Sequence, residues 1–238
     1  MDSLDNSAST EQNYLLMLNL AEQLKLPFLQ IQRQAELARL TGSSNLSSIE
    51  NTADNALRLL DNYLLGLRLT KQNIELEQEP VSISAVLYDS GQLLYNLAKD
   101  YGIDLELSIT GKYEPVIAHK HGLESAIVSL GSSLIEAVGA QEGDKCHLQL
   151  GTHRCRYGIV AGVYADNPNL TADLLRQGRE LMGSARQPLV NLTYSAGTGV
   201  FVADSILKAM SLSLKASRHK NLYGLGAVMK GSRQLQLV

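Results

Sequence analysis

The sequence predicts an α+β protein in which an N-terminal helical hairpin precedes an α/β sandwich. Through residues 11–76, apolar residues repeat at alternating spacings of four and three, the period of packed helices. The period changes after the stretch ELEQEP, and short alternating runs typical of strands then follow. We therefore expect a flexible tail at 1–10, a dimerisation hairpin at 11–76 and a sandwich domain at 80–238.

The first predicted helix runs from about Glu11 to Leu40 and has a proline, Pro27, in its middle. A proline inside a helix removes a hydrogen bond and crowds the preceding turn, at a cost of about 3 kcal/mol. The presence of a proline at this cost in so regular a helix therefore requires an explanation. Its heptad seam is formed by Met17, Ala21, Leu24, Phe28, Ile31, Ala35 and Ala38.

The second predicted helix spans 48–76, after the breaking stretch TGSSNLSS at 41–48. Ser47 and Glu50 have the spacing of a capping box. Many leucines of both helices lie off the seams, and two helices cannot bury them alone. A second copy of the chain would complete a four-helix bundle across a two-fold axis, whereas the alternative is packing on the rest of the same chain. The seam of this helix is Ile49, Ala53, Ala56, Leu60, Tyr63 and Leu67.

Helices and strands intermix in the predicted sandwich. A left-handed glycine, Gly102, should end the first of its helices. We expect KCHLQLGT to pair with YGIVAGVYA, and LSLKAS to pair with LYGLGAVM, as hairpin strands. The other expected elements are a strand at 81–83, a helix at Ser84–Tyr101, a strand at 103–109, a helix at Lys120–Ala140, a short helix near 171–182 and a helix at Val200–Met210.

Composition narrows the function. The 238 residues carry a net charge of -3, no Trp and two Phe, which argues against nucleic-acid binding by charge or stacking. No apolar run is long enough to span a membrane, and the polar, acidic start does not resemble a secretion signal. We therefore expect a cytoplasmic protein with reduced thiols at Cys146 and Cys155.

Two cysteines and two histidines lie close together in the sequence. They form the pairs Cys146-His147 and His153-x-Cys155. Their spacings match no common zinc pattern, and adjacent residues of a strand point to opposite faces. We predict a strand hairpin here rather than a metal site.

The stretch around Pro27 resembles the phosphoacceptor motif of sensor histidine kinases, which is close to H-E-L-R-T-P-L. Here it reads Glu22-Gln23-Leu24-Lys25-Leu26-Pro27-Phe28. The resemblance explains the proline as a retained part of that motif, and it places Glu22 at the position of the phosphorylated histidine. No histidine occurs before His119, so no neighbour in the hairpin replaces it.

The later part of the chain resembles the Bergerat-type ATP-binding domain of the same family, so the likeness covers about 11–230. It implies that Ser129 and Ser133 replace the asparagines that hold magnesium and phosphates, although serine is a poor ligand for a hard cation. In YADNPNL, Asp166 matches the adenine-binding aspartate, or Ala165 does if the alignment slips by one. In GTGVFVADSILKAM, Gly197 and Gly199 match the first two glycines of the last box, where backbone N–H groups at a helix start can bind an anion.

The resemblance implies a catalytically inactive, kinase-like dimer that docks a response regulator receiver domain or an active kinase. Docking would use Glu22, Gln23 and Lys25, and Glu22 would mimic a charged, phosphorylated state. The alternative is a switch that binds ATP or ADP at Asp166 and Gly197–Gly199 without phosphate transfer, and magnesium is doubtful in either case.

Two further classes have less support. An enzyme of another type could use the HKH stretch at 119–121 or the Cys/His pairs, but no nucleophile, base and orienting acid form a recognisable set. A phosphotransferase that receives phosphate on histidine would need a hairpin histidine, which this sequence lacks.

Overall fold

The computed structural model describes residues 21, 24, 25, 27–40, 46–72, 76–109, 111–139, 147–167, 173–176, 178 and 195–232. Residues 27–40 are helical and are called α1, and the next helix, α2, is Leu46–Gln72. The predicted α+β class is confirmed, because a mixed sheet with packed helices follows these two. The expected tail at 1–10 lies outside the described residues.

The sandwich contains helices and strands in the expected order, with one strand, Val116–Ala118, that the sequence analysis did not predict. None of the helices in the described ranges is both long and apolar enough to cross a membrane. The elements are β1 (Glu79–Val81), α3 (Ile83–Asp100), β2 (Asp104–Ile109), β3 (Val116–Ala118), α4 (Lys120–Gly139), β4 (His147–Cys155), β5 (Gly158–Ala165), α5 (173–176), α6 (Ser195–Ala209), β6 (Ser213–His219) and β7 (Leu222–Met229).

Five strands form one mixed sheet in the order β2-β4-β5-β7-β6. β2 is parallel to β4, and the other neighbours are antiparallel. Both predicted strand pairs, β4 with β5 and β6 with β7, are confirmed. β1 and β3 form a separate two-stranded antiparallel sheet.

The main sheet has two unlike faces because side chains alternate along each strand. On the inner face, Leu148, Leu150 and Leu225 join one apolar core with buried residues of α3, α4 and α6. The outer face carries the alternate residues, including His153 and Tyr164. The nucleotide-binding positions expected from the sequence lie on the helical side of this core.

The strand predicted at 81–83 was wrong by two residues, since β1 is Glu79–Val81. Ser82 is the N-cap of α3, and its Oγ accepts a hydrogen bond from the Ala85 N–H at 3.5 Å. A capping side chain satisfies a free N–H at a helix start, so the chain turns into a helix at Ile83 instead of extending the strand.

The start of the helix predicted at Val200–Met210 was also wrong. α6 begins at Ser195 and ends at Ala209. Its first turns therefore contain Gly197 and Gly199, although glycine is a weak helix former. Tertiary contact explains the earlier start, because α6 packs closely on α4 at these small residues.

α2 packs on the sandwich through α6. A Cβ on Gly66 would lie 3.3 Å from the Val202 Cα, and Leu69 is buried. The segment after α2 is fixed to the end of α6, where the Leu76 N–H donates to the Ala209 carbonyl at 3.1 Å. Part of the apolar surface of the second predicted helix is thus covered by the same chain. Such packing is what we expect from the alternative to a dimer.

Other apolar side chains of α1 and α2 remain exposed. Phe28, which lies on the predicted seam, is 60% exposed, and Leu40 is 82% exposed. Packing within the chain therefore leaves a substantial apolar surface open. The remaining exposed large side chains on these helices are Leu29, Leu37, Leu46, Leu57 and Leu64.

Candidate functional site between α4 and α6

Three of the sequence-predicted nucleotide residues meet where α6 crosses α4. Ser129 and Ser133 are one turn apart on α4, and both are buried. A Cβ placed on Gly199 would lie 2.2 Å from the Ser133 Oγ and 2.4 Å from the Ser129 carbonyl oxygen. We call Ser129, Ser133, Thr198 and Gly199 the α4–α6 corner.

The contact at Gly199 is too close for any side chain. Real Cβ atoms essentially never come within 3.0 Å of a neighbouring heavy atom, and one of the two neighbours here is backbone that cannot rotate away. Gly199 is therefore retained for close helix packing. Its N–H lies beyond the first four of α6, so it bonds within the helix and is not free for an anion, unlike the N–H of Gly197.

Two hydroxyl groups of the corner are buried without a partner. The Ser133 Oγ and the Thr198 Oγ1 make no hydrogen bond to any described part of the chain, and each residue is 1% exposed. A buried polar atom without a partner costs about 1–3 kcal/mol. Sequence reasoning missed Thr198, although it stands between the two glycines that were singled out.

The corner does not fit a magnesium–triphosphate group. Hydroxyl groups stand where the resemblance places amide ligands, and α6 lies directly on them. Since there is no space for one methyl group between Gly199 and Ser133, a phosphate group cannot lie between these two residues. Phe201, at the position of the third family glycine, is fully buried in the same core.

Asp166 lies away from this packing and is exposed at the end of β5. It makes no hydrogen bond or ion pair with the residues that the structure describes. Ala165, the alternative match, is buried in the apolar core. The structure thus brings Ser129, Ser133 and Gly199 together, and gives Asp166 no partner among them.

The expected docking residues are only partly described. Lys25 is exposed on the first helix, and Pro27 is helical and half-buried. Glu22 and Gln23, which the resemblance places at the phosphoacceptor motif, lie outside the described residues.

The HKH stretch has a structural role at the start of α4. The His119 Nδ1 accepts a hydrogen bond from the Gly122 N–H at 3.0 Å, as a capping side chain does. His121 is exposed and lies 4.0 Å from the Glu124 carboxylate. Capping explains His119 without a catalytic role.

The Cys/His residues separate onto different parts of the β4–β5 hairpin. Cys155 is a free thiol whose Sγ accepts from the Tyr157 N–H, and Cys146 lies outside the described residues. His147 pairs with Glu106, whereas His153 lies further along the outer face of the sheet. Across the described ranges, no three metal-binding side chains form a cluster.

A second polar cluster, on the outer face, was not found from the sequence. The rings of His153, Tyr164 and His219 lie within 5.3–6.1 Å of one another, centre to centre. Burial raises the pKa of Tyr164 to about 12, so its hydroxyl stays neutral. Alternation along β4, β5 and β6 could have predicted that these residues share one face of the sheet. It could not have predicted that their side chains contact one another.

Comparisons with known proteins identify the fold. Searches of family models and of curated proteins give no match. The Acinetobacter baumannii histidine kinase AdeS matches with a TM-score of 0.51 and 13% identity, over 89% of this chain and 98% of that chain. Full-length ShkA in complex with AMPPNP matches with a TM-score of 0.54 and 16% identity, over 90% of this chain and 46% of that chain. At these identities the likeness establishes the fold, which is that of a histidine kinase core with an ATPase-type sandwich.

Proposed function

We propose that this chain is a histidine kinase-like protein that no longer transfers phosphate and acts as a dimeric scaffold for a signalling partner. The partner class is a response regulator receiver domain or an active histidine kinase. The observation that carries this proposal is the α4–α6 corner, where Gly199 lies against Ser129 and Ser133 and leaves no space between them for magnesium or phosphate.

The phosphoacceptor position supports the same conclusion. Glu22 stands where the motif has histidine, and a carboxylate cannot form the phosphoramidate through which such kinases pass phosphate. Transfer needs an acceptor, a cation and a held nucleotide together. The replacement of the motif's histidine by Glu22 and the packing of the corner affect separate steps, so restoring one would not restore activity.

The exposed apolar side chains of α1 and α2 support the dimer. Phe28 lies on the predicted seam yet is 60% exposed, and a second copy would cover it. Light scattering on the full chain should give the mass of a dimer, and Phe28→Asp should give a monomer. A wild-type protein that remains monomeric at micromolar concentration contradicts the scaffold architecture.

Phosphate transfer is tested by incubating the full chain with labelled ATP and magnesium, alone and with an active histidine kinase. We expect no acid-labile phosphate on the chain in either case. Label on the protein that disappears in acid would show a phosphohistidine and would overturn the proposal.

Docking is tested by measuring the binding of receiver domains from the same organism. For a receiver domain that binds the wild-type chain, Glu22→Lys should raise the dissociation constant about tenfold or more, because it reverses a charge at the proposed contact. Glu36→Lys is the matched control, since it makes the same change on an exposed position of α1, well after Glu22 in the sequence. Equal weakening by both variants would remove Glu22 from the docking surface.

A nucleotide-responsive switch is the second candidate function. It is favoured by the two buried hydroxyl groups of Ser133 and Thr198, which would gain partners if a ligand opened the corner. Such a ligand would have to move α6 away from α4, so binding would couple directly to α2, which packs on α6.

A further inference from the structure

Four side chains on the outer face of the sheet are buried although they lie opposite the apolar core. Tyr164 is 0% exposed, and Gln149, Ser108 and His219 are each 5% exposed or less. These residues come from four different strands, β5, β4, β2 and β6. This part of the outer face is therefore covered by its own side chains and by the turn between β6 and β7, whereas Glu106 and Lys215 on the same face are exposed.

A row of glycines makes room for that closure. Gly151, Gly162 and Gly226 lie side by side in direct register on β4, β5 and β7. A Cβ on Gly151 would lie 3.1 Å from the His219 ring, and one on Gly226 would lie 2.8 Å from the Val160 Cγ1 and 3.3 Å from the Tyr164 hydroxyl. The His219 ring thus occupies the space that a side chain at Gly151 would otherwise fill.

The β6–β7 turn reaches across this face to the edge strand β2. The Lys220 Nζ donates to the Ser108 Oγ at 3.0 Å, and the His219 Nε2 lies 3.2 Å from the same oxygen. Lys220 has a positive φ of 55°, a conformation that residues other than glycine rarely adopt. The contact with Ser108 is what holds the side chain of this strained residue.

The hydrogen atoms at Ser108 can be assigned by counting donors. The Lys220 ammonium group only donates, so the Ser108 Oγ accepts from it. A neutral His219 with its hydrogen on Nδ1 can accept the single hydroxyl hydrogen of Ser108 at Nε2, while the Ser108 oxygen accepts from Lys220. A protonated His219 can only donate, so it would lose this acceptor role and place a second cation against the oxygen that the Lys220 ammonium group already contacts.

The charges around His219 oppose its protonation. Burial lowers the pKa of His219 below its ordinary value of 6.5, and the nearby His153 and Lys220 lower it further. Burial also lowers the pKa of His153, whose ring centre is 5.4 Å away. The Arg218 guanidinium donates to the Lys220 carbonyl in the same turn.

The carboxylate on this side of β2 belongs to Glu106, which contacts residues other than His219. Glu106, two residues before Ser108, accepts from the Gln149 amide at 3.0 Å and pairs with His147 at 3.1 Å. Tyr164, from β5, stays neutral. Both contacts of Glu106 are made by its Oε2, and neither is with His219, so a protonated His219 would share the Ser108 hydroxyl with the Lys220 ammonium group.

We propose that His219, Ser108 and Lys220 form a proton-sensitive clasp that holds the β6–β7 turn on β2 when His219 is neutral and releases it when His219 is protonated. Release exposes the outer face with Tyr164 and His153. This inference is independent of the proposed function, because none of these residues belongs to the α4–α6 corner.

Hydrogen exchange of the full chain tests the clasp. Backbone exchange across residues 216–224 is measured at about pH 7.5 and about pH 5.5 and corrected for the intrinsic pH dependence. We expect the open population of the wild-type turn to rise at the lower pH, with a ceiling of roughly tenfold for each unit by which closure lowers the His219 pKa.

Three variants test which residues cause the turn to open at lower pH. His219→Gln keeps an acceptor for Ser108 but cannot titrate, so its turn should stay closed at both pH values. Lys220→Met removes the cation that a protonated His219 would face across the Ser108 oxygen, so its response to acid should shrink. His121→Gln, an exposed histidine on α4, is the control and should respond as the wild type does.

Three results would overturn the clasp. One is equal exchange of the wild-type turn at both pH values. Another is a His219→Gln protein that opens in acid as much as the wild type. The third is a full acid response in Lys220→Met, which would show that the neighbouring Lys220 charge plays no part.

Discussion

The α4–α6 corner and the outer face of the sheet both bury serine hydroxyl groups, but only the outer face gives them partners. Ser133 in the corner has no hydrogen-bond partner among the described residues, whereas Ser108 on the outer face contacts both Lys220 and His219. The corner is fixed by the contact of a glycine with backbone, and the outer face by a polar network. Close packing holds the first region together, and specific hydrogen bonds hold the second.

The largest expected effect is the loss of the aromatic ring that fills the outer face. Tyr164→Ala should lower the free energy of unfolding by about 3–5 kcal/mol, as for other fully buried large side chains. Tyr164→Phe removes only a hydroxyl that lies 3.5 Å from the His153 Nδ1, so it should cost about 1 kcal/mol or less. Urea denaturation of both variants measures this, and equal losses would show that the hydroxyl, not the ring, stabilises this face.

The next effect tests whether close packing alone fixes the corner. Gly199→Ala places a Cβ against the Ser129 carbonyl and should cost about 2–3 kcal/mol through overpacking. Gly91→Ala is the matched control on α3, where the Cβ would lie 3.1 Å from the end of the Leu107 side chain, which is 38% exposed and can move, so it should cost about 1 kcal/mol or less. A Gly199→Ala protein as stable as Gly91→Ala would mean that α6 does not lie this close to α4.

A matched pair of serine substitutions compares the two regions directly. Ser108→Ala should destabilise the protein by about 1–2 kcal/mol, since it leaves Lys220 and His219 without their shared partner. Ser133→Ala should be neutral or slightly stabilising, because the hydroxyl it removes has no partner in the described chain. Thermal unfolding at neutral pH measures both, and a larger loss for Ser133→Ala would contradict the account of the corner.

The smallest expected effect is the dependence of stability on pH. The folded-state pKa values of His153 and His219 are lowered below 6.5, so the unfolded chain binds protons more readily than the folded one. Their contribution is complete well above pH 6.5 and is lost as the pH falls through that value toward the folded-state pKa values. Melting temperatures across this range should fall less for a His153→Gln, His219→Gln double variant than for the wild type, and equal falls would remove the two histidines from the acid response.

Local patterns in the sequence were sufficient for most of the fold. Alternating residues gave the β4–β5 and β6–β7 hairpins, and heptad spacing gave the helices of the N-terminal region. Local patterns could not predict the start of α6, because SAGTG has weak helix propensity and becomes helical by packing on α4. The meeting of Ser108 with His219 was equally hidden, since it joins strands at opposite edges of the sheet.

Sequence reasoning found part of the candidate site. It placed Ser129, Ser133 and Gly199 in one site through a family resemblance, and the structure brings those three together. It could not show that their contact leaves no space, because helix separation is a property of three-dimensional packing. Spacing alone gives no measure of how closely two helices approach.

The measurement that tests the central claim most directly is calorimetric titration of the full chain with ATP and ADP, each with and without magnesium. The α4–α6 corner as described predicts no heat and no magnesium-dependent thermal shift at millimolar nucleotide. Micromolar binding that magnesium strengthens would show that α6 leaves α4 to admit a phosphate group, and would contradict the account of a closed corner.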